Sequence, residues 1–199
     1  MPDIADETPP DHRPAIVICA YDADDTGWDP VEDLSGRPWS PSGVRTVAVP
    51  GGEPDVLAET LATHLDDRHC RAVLLVGRTR RSAAFRLQIR AENRSLDGVR
   101  RLTSVGPAVA RATAPAADIV GALNEAGLRV ETSSDAEDDA GSYLLYRVLS
   151  ALPEGLDTPA VGLLRAPENA SDAEVQRAVK AAAEAMARHL SPLPRSRAS

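Results

Sequence analysis

The chain of 199 residues carries only two cysteines, Cys19 and Cys70. Two thiols build neither a disulfide framework nor a Cys-rich zinc site, and a reducing cytoplasm is the expected compartment. Long apolar runs are missing as well. The longest, Ala15 to Tyr21 and Ala72 to Val76, fall far short of the roughly 20 residues a membrane helix needs. The N-terminus offers Asp3, Asp6, Glu7 and Asp11 in place of a basic and then apolar leader, so no secretion signal is expected. Lysine is almost absent, Lys180 being the single one, and the formal net charge is −8. That balance disfavours nucleic acid and anionic membranes, which proteins bind by neutralising phosphates. No glycine loop fits a phosphate cradle. Gly51-Gly52 lacks the spaced third glycine and the Lys-Ser/Thr pair, and reads as a turn and helix entry. The four histidines, His12, His64, His69 and His189, are scattered, whereas a metal centre needs three or four converging ligands. No metal or cofactor is expected.

What is present is an alternation of short apolar runs and amphipathic stretches. Residues 1–14 and 191–199 are polar and aperiodic, and read as disordered tails around one domain at 15–190. A chain of this size hides about 70% of its unfolded surface, enough for a real core. Ala15 to Ala20, Val44 to Val49, Arg71 to Val76, Leu128 to Glu131 and Ala160 to Leu164 read as strands, the apolar ones as strands buried on both faces. Phe85, Leu87, Ile89 and Ala91 alternate with Arg86, Gln88, Arg90 and Glu92, the period of a half-exposed strand. Helices are expected from Pro54 through Leu65, over Ala116 to Ala126 before Gly127, over Asp139 to Leu152, and over Ser171 to Leu190. The last opens on a Ser171/Glu174 capping box. Such alternation predicts an α/β fold, a three-layer α/β/α sandwich around a mostly parallel sheet. Ligands of such sheets lie at the carboxyl ends of the strands, so the loops after Cys19, Val76 and Leu164 are the places to search.

Three features stand near those loops. Cys19 ends the first strand, where a packing role is the ordinary one for cysteine. Asp22, Asp24 and Asp25 form an acidic loop without the glycine and closing glutamate of a calcium site. Arg78, Arg80 and Arg81 follow a buried strand, where they can receive an anion or pair with the chain's own acids.

Several segments, in order, carry a family resemblance. Ile16 to Asp22 resembles an opening strand and its Gly-Phe-Glu/Asp-Pro-Phe loop; Val73 to Arg78 a Val-Gly-Gln segment; Leu87 to Asn93 a Glu-Arg-x-Ala-x-Asn strand; and Gly106-Pro107-Ala108 an Asp-Gly-Pro turn. Ala122 to Leu128 resembles a helix ending in Ala-Gly-Ile, Ala140 to Tyr146 an Ala-Gly-Thr-Tyr-x-Cys-Asn motif, and Gly162 to Pro167 Gly-Phe-x-His-x-Pro. Together, over Ala15 to Leu190, the chain resembles pyroglutamyl peptidase I (pyrrolidone-carboxylate peptidase), cysteine peptidases that remove an N-terminal pyroglutamate. The resemblance implies a thiolate nucleophile, a histidine base and an assisting carboxylate. Here the matching positions read Leu145, Arg165 and Gln88. Leucine has no lone pair for attack, arginine stays protonated, and glutamine carries no charge. Losing a nucleophile or base removes on the order of 10⁶ in rate. Tyr21 and Asp24 stand where the family has two phenylalanines, and an acidic insert, Asp135 to Asp138, precedes the Leu145 motif. Ser142 is the one hydroxyl near it, without a histidine to match.

The expectation is therefore a degenerate relative with no catalytic residue: a ligand-binding or interaction protein whose cleft is lined by Tyr21, Arg78, Gln88 and Arg165. Its partner would be a small carboxylate or a peptide N-terminus, with Arg165 and Arg78 as a clamp, or another protein holding the Arg-rich face. The competing expectation is an active cysteine hydrolase with relocated residues, built on Cys19 and a histidine.

Overall fold

The computed structural model describes residues 11–22, 38–97, 100–153, 155 and 157–190. The expected tails at 1–10 and 191–199, and Asp24 and Asp25 of the acidic loop, lie outside the described residues. Residues 11–14 lead into the first strand, with the Arg13 guanidinium donating to the carbonyl of Val44.

Among the described residues, eight strands and four helices follow in the order β1 (Ala15–Ala20), β2 (Arg45–Val49), α1 (Pro54–Asp66), β3 (Cys70–Thr79), β4 (Phe85–Gln88), β5 (Arg90–Glu92), β6 (Val109–Arg111), α2 (Ala116–Glu125), β7 (Val130–Ser133), α3 (Ala140–Ser150), β8 (Ala160–Pro167) and α4 (Asp172–His189). Six strands form the central sheet in the order β2-β1-β3-β8-β4-β7. Neighbours run parallel except β4, which lies antiparallel to β8. The expected mostly parallel α/β sandwich is the architecture found.

The period of two in each strand splits the core into two layers. Ile16, Ile18, Ala72, Leu74, Val76, Leu164 and Ala166 face α2 and α4 through Ile119, Leu123, Val175 and Val179. Val17, Cys19, Val73, Leu75, Val161 and Leu163 face α1 and α3 through Leu57, Leu61, Leu144 and Leu145. Both faces of the sheet are therefore dry, as parallel sheets require. The α4 start is the expected capping box, the Ser171 hydroxyl accepting from the Glu174 amide and the Glu174 carboxylate from the Ser171 amide. No helix among the described residues is long and apolar enough to cross a membrane.

One expectation is corrected. The alternating stretch from Phe85 is not one half-exposed strand. β4 is buried throughout, breaks at Ile89, and hands over to β5, which pairs antiparallel with β6 in a separate two-stranded sheet. Arg86 and Gln88 alternate with apolar neighbours because they face a buried ionic cluster rather than water.

Candidate functional site

The site lies where the carboxyl ends of β1, β3 and β8 meet the start of α3. Strand parity decides which side chains reach it. In β8, Arg165 shares a face with Val161 and Leu163, so it points under α3. In β4, Arg86 and Gln88 take the face opposite Phe85 and Leu87. The antiparallel register sets Arg86 directly across from Arg165. Like charges so placed repel, and the chain answers with Glu137. One Glu137 oxygen accepts from Thr79 Oγ1 at 2.8 Å and Arg86 Nη1 at 3.1 Å, and lies 3.6 Å from Arg165 Nε.

Arg165 is only 1% exposed. An arginine carries five N–H hydrogens, and each has an acceptor here. Nε donates to Gln88 Oε1 at 3.1 Å. Nη1 donates to the Tyr21 hydroxyl at 3.0 Å and to Asp139 Oδ2 at 2.5 Å. Nη2 donates to Asp139 Oδ1 at 2.8 Å and to Ser142 Oγ at 3.1 Å. The Asp139 contact is the two-pronged carboxylate grip that a planar guanidinium favours. Burial opposes the charge on Arg165, but the Asp139 hydrogen bonds, with Tyr21 and Glu137 nearby, raise its pKa above the ordinary arginine value.

Asp139 does two jobs. It is the N-cap of α3, its Oδ1 accepting from the Ser142 amide at 3.0 Å, a position that favours a short carboxylate. The same oxygen faces Arg165. Ser142 completes the cluster as an acceptor: its hydroxyl oxygen takes the Glu137 amide at 3.0 Å and Gln88 Nε2 at 3.2 Å besides Arg165. The outlet for its own proton is Gln88 Oε1, 3.4 Å away. An amide oxygen is no base, so this geometry holds the serine without activating it.

Tyr21 closes the top. Its ring lies across Gly77 at the end of β3 and Gly141 in the first turn of α3; a Cβ at either would collide with the ring and hydroxyl. That close approach is why both positions need glycine. Burial pushes the Tyr21 phenol well above its usual pKa, so it stays a neutral hydroxyl.

Leu145 is fully buried in the apolar layer that also holds Cys19, Leu75 and Tyr143. The Cys19 thiol is fully buried too, and burial pushes its pKa up to about 12. The described histidines stand elsewhere: His12 lies against His69, which pairs with Asp67 before β3, His189 pairs with Asp118 between α4 and α2, and His64 lies in the last turn of α1.

Of the four residues expected to line the cleft, the structure brings three together, Tyr21, Gln88 and Arg165. Arg78 is one residue out of phase. It shares the α4 face with Val76 and Ala166, and its guanidinium donates to the carbonyls of Glu168 and Ala170 and to Asp172 at 3.2 Å. It ties the β8–α4 connection. Only the Arg78 amide turns toward the acidic loop, donating to Asp22 at 2.6 Å. An open cleft of about 370 Å³ adjoins the buried cluster, lined by Asp22, Arg78, Arg80, Arg81, Thr79 and Glu137 among others. Sequence reasoning missed Arg86, Glu137 and Asp139. The available signal was Asp139 at the start of the expected helix, an N-cap position.

No family model and no curated protein matches the sequence. Solved structures match in fold. The pyrrolidone carboxyl peptidase from Thermus thermophilus superposes with a TM-score of 0.61 at 20% identity, covering 86% of this chain and 99% of that one. A mutant pyrrolidone carboxyl peptidase from Pyrococcus furiosus gives 0.70 at 17% identity over 88% and 99%. Pyroglutamyl peptidase I from Bacillus amyloliquefaciens gives 0.65 at 15% identity over 89% and 98%. The chain has the pyrrolidone carboxyl peptidase fold over nearly the whole length of those proteins.

Proposed function

We propose that this chain is a non-hydrolytic protein on the pyrrolidone carboxyl peptidase fold whose cleft binds a carboxylate-bearing ligand, a small carboxylate or a peptide. The observation that carries the reading is the two-pronged grip of Arg165 on a carboxylate, Asp139, within a shell of Tyr21, Gln88 and Ser142. Arg165 stands where the resemblance expects a histidine base, and Leu145 where it expects the nucleophile. A fixed cation and a hydrocarbon support binding and no acyl transfer. Arg78, Arg80 and Arg81 line the open cleft outside together with Asp22, Glu137 and Glu168, and each guanidinium there faces a carboxylate of the chain, Asp172, Glu168 and Glu137 in turn.

A cysteine hydrolase built on Cys19 finds no support in the site. A thiol with a pKa of about 12, in an apolar layer, is unionised at neutral pH and out of reach of a substrate.

Two measurements test the reading. A chromogenic pyroglutamyl amide is expected to show no turnover above background, and Leu145→Cys alone is expected to create none, because no base accompanies it. Titration of the wild type with pyroglutamate, acetate and glutarate is expected to show saturable binding that Arg165→Gln abolishes. Turnover removed by Cys19→Ser, or no carboxylate binding at all, overturns it.

A further inference from the structure

The acidic segment before α3 sits on this cluster as a ligand would. Ala136-Glu137-Asp138-Asp139 places its two outer carboxylates on two buried arginines: Glu137 on Arg86 and Thr79, and Asp139 on Arg165. Arg86 is 8% exposed and Arg165 1%. The middle carboxylate, Asp138, points outward to Arg94, 2.6 Å away, with its side chain 57% exposed. Among the described residues, no backbone-to-backbone hydrogen bond holds 134–138 to the rest of the fold. The segment is held by its carboxylates, by the Asp135 amide on Ser133 Oγ and by the Glu137 amide on Ser142 Oγ. Segments with so few backbone ties open at low free-energy cost.

The receptor side stands apart from the segment. Arg86, Arg165, Thr79, Gln88 and Tyr21 come from three strands, β3, β4 and β8, and the end of a fourth, β1, and their spacing is fixed by the β4–β8 and β3–β8 registers. Two guanidiniums stand side by side on one sheet face; Arg86 also meets Glu131 of β7, 3.4 Å from its Nε, whereas the carboxylates on Arg165 among the described residues, Glu137 and Asp139, both belong to the segment. The Thr79 and Glu137 pair also borders the open cleft, so the first carboxylate to yield faces the route by which a ligand arrives.

We infer that the Arg86–Arg165 pair is a binding site for two carboxylates spaced as in a Glu-x-Asp sequence, occupied in cis by Glu137 and Asp139 and opened when an external dicarboxylate displaces that segment. The inference rests on the carboxylate-binding reading above and adds the class of ligand and the competitor it must replace. The ligand chemistry has two sources, an acidic peptide and a small dicarboxylate, and the arms of the test separate them.

The test uses the full chain and follows amide hydrogen exchange at Glu137 and Ser142, the two amides whose hydrogen bonds join the seated segment to the first turn of α3. A tethered segment competes at an effective concentration in the millimolar range or above, so probes are supplied at up to about 10 mM. The probes are acetyl-Ala-Glu-Asp-Asp-Ala-amide, the same peptide with Gln and Asn replacing its outer acids, glutarate, and acetate. The acidic peptide or glutarate is expected to speed exchange at both amides by about fivefold or more, acetate to act more weakly than glutarate at equal concentration, and the neutralised peptide to leave it unchanged. Response to the peptide alone assigns a peptide ligand, and response to glutarate as well assigns the dicarboxylate group itself. Glu137→Gln removes half of the internal competitor and is expected to tighten peptide binding by about tenfold. If Glu137→Gln fails to fold, exchange in the wild type decides. Binding of acetate and pyroglutamate without preference for two carboxylates overturns this inference and leaves the proposed function standing. Absence of binding by every carboxylate overturns both.

Discussion

Replacing Asp139 by asparagine isolates the charge of the Arg165 pair, because asparagine keeps an oxygen for the Ser142 amide and so remains a good helix cap. What is lost is the counter-charge of a guanidinium that is 1% exposed. Removing one partner of a buried pair costs about 3–5 kcal/mol, since the other charge stays behind unpaired. The Asp139 side chain is 32% exposed, so water follows the substitution in part, and Glu137 remains 3.6 Å from Nε. The lower end, about 3 kcal/mol, is therefore expected. In a domain of this size that lowers the midpoint of thermal unfolding by about 6–12 °C. Asp139→Ala loses the cap as well and is expected to cost about 1 kcal/mol more. Urea unfolding at pH 7 measures both, with an unchanged denaturant slope as the sign that the folded state is intact. Arg165→Met/Asp139→Asn completes a double-mutant cycle, where a coupling of about 2 kcal/mol or more is expected. An Asp139→Asn protein within about 1 kcal/mol of wild type would refute the pairing as a source of stability.

Three further outcomes follow from the geometry. With a pKa of about 12, Cys19 is thiolate in about one molecule in ten thousand at pH 8; iodoacetamide is expected to label it only in denaturant, and rapid labelling of the native chain would contradict its burial. Gly141→Ala drives a methyl into the Tyr21 ring and is expected to cost about 1–3 kcal/mol; pairing it with Tyr21→Ala should recover part of the loss, and strictly additive losses would show that the two do not touch. Glu174 is held below the ordinary carboxylate pKa by the Ser171 amide, so its folded-state value lies under its unfolded one. Its contribution is then present above the unfolded pKa and lost as the pH falls through the folded one. Glu174→Gln is expected to flatten the acid limb of stability against pH, and an unaltered limb would count against the capping box.

The sheet and its two layers were readable because β1, β3 and β8 are short apolar runs that only a parallel sheet buries on both faces. Their ends were not. Gly77-Arg78 and Arg165 look like punctuation after Val76 and Leu164, yet both strands run on, pairing Gly77 with Arg165 and Thr79 with Pro167. Once those residues are in strand, parity sends Arg165 under α3 and Arg78 to α4, a separation that loop placement cannot reveal. The Arg86-Leu87-Gln88 alternation was legible as strand but not as burial, since the partner that makes a buried arginine tolerable, Glu137, lies 51 residues away. Acidic runs read as solvated faces for the same reason: composition shows the charges and not the cations that will receive them.

The five-fold saturation of Arg165 also restricts which replacements that position accepts. An imidazole offers two nitrogens in place of five N–H groups, so Arg165→His would strand acceptors on Asp139, Tyr21, Gln88 and Ser142 at one stroke. Glu137 would keep Arg86 and, 4.0 Å away, the half-exposed Arg81, while Asp139 would lose its guanidinium. Refitting the crevice for proton transfer therefore demands that Asp139 and Glu137 change along with residue 165, and any single step toward it passes through a protein less sound than either endpoint.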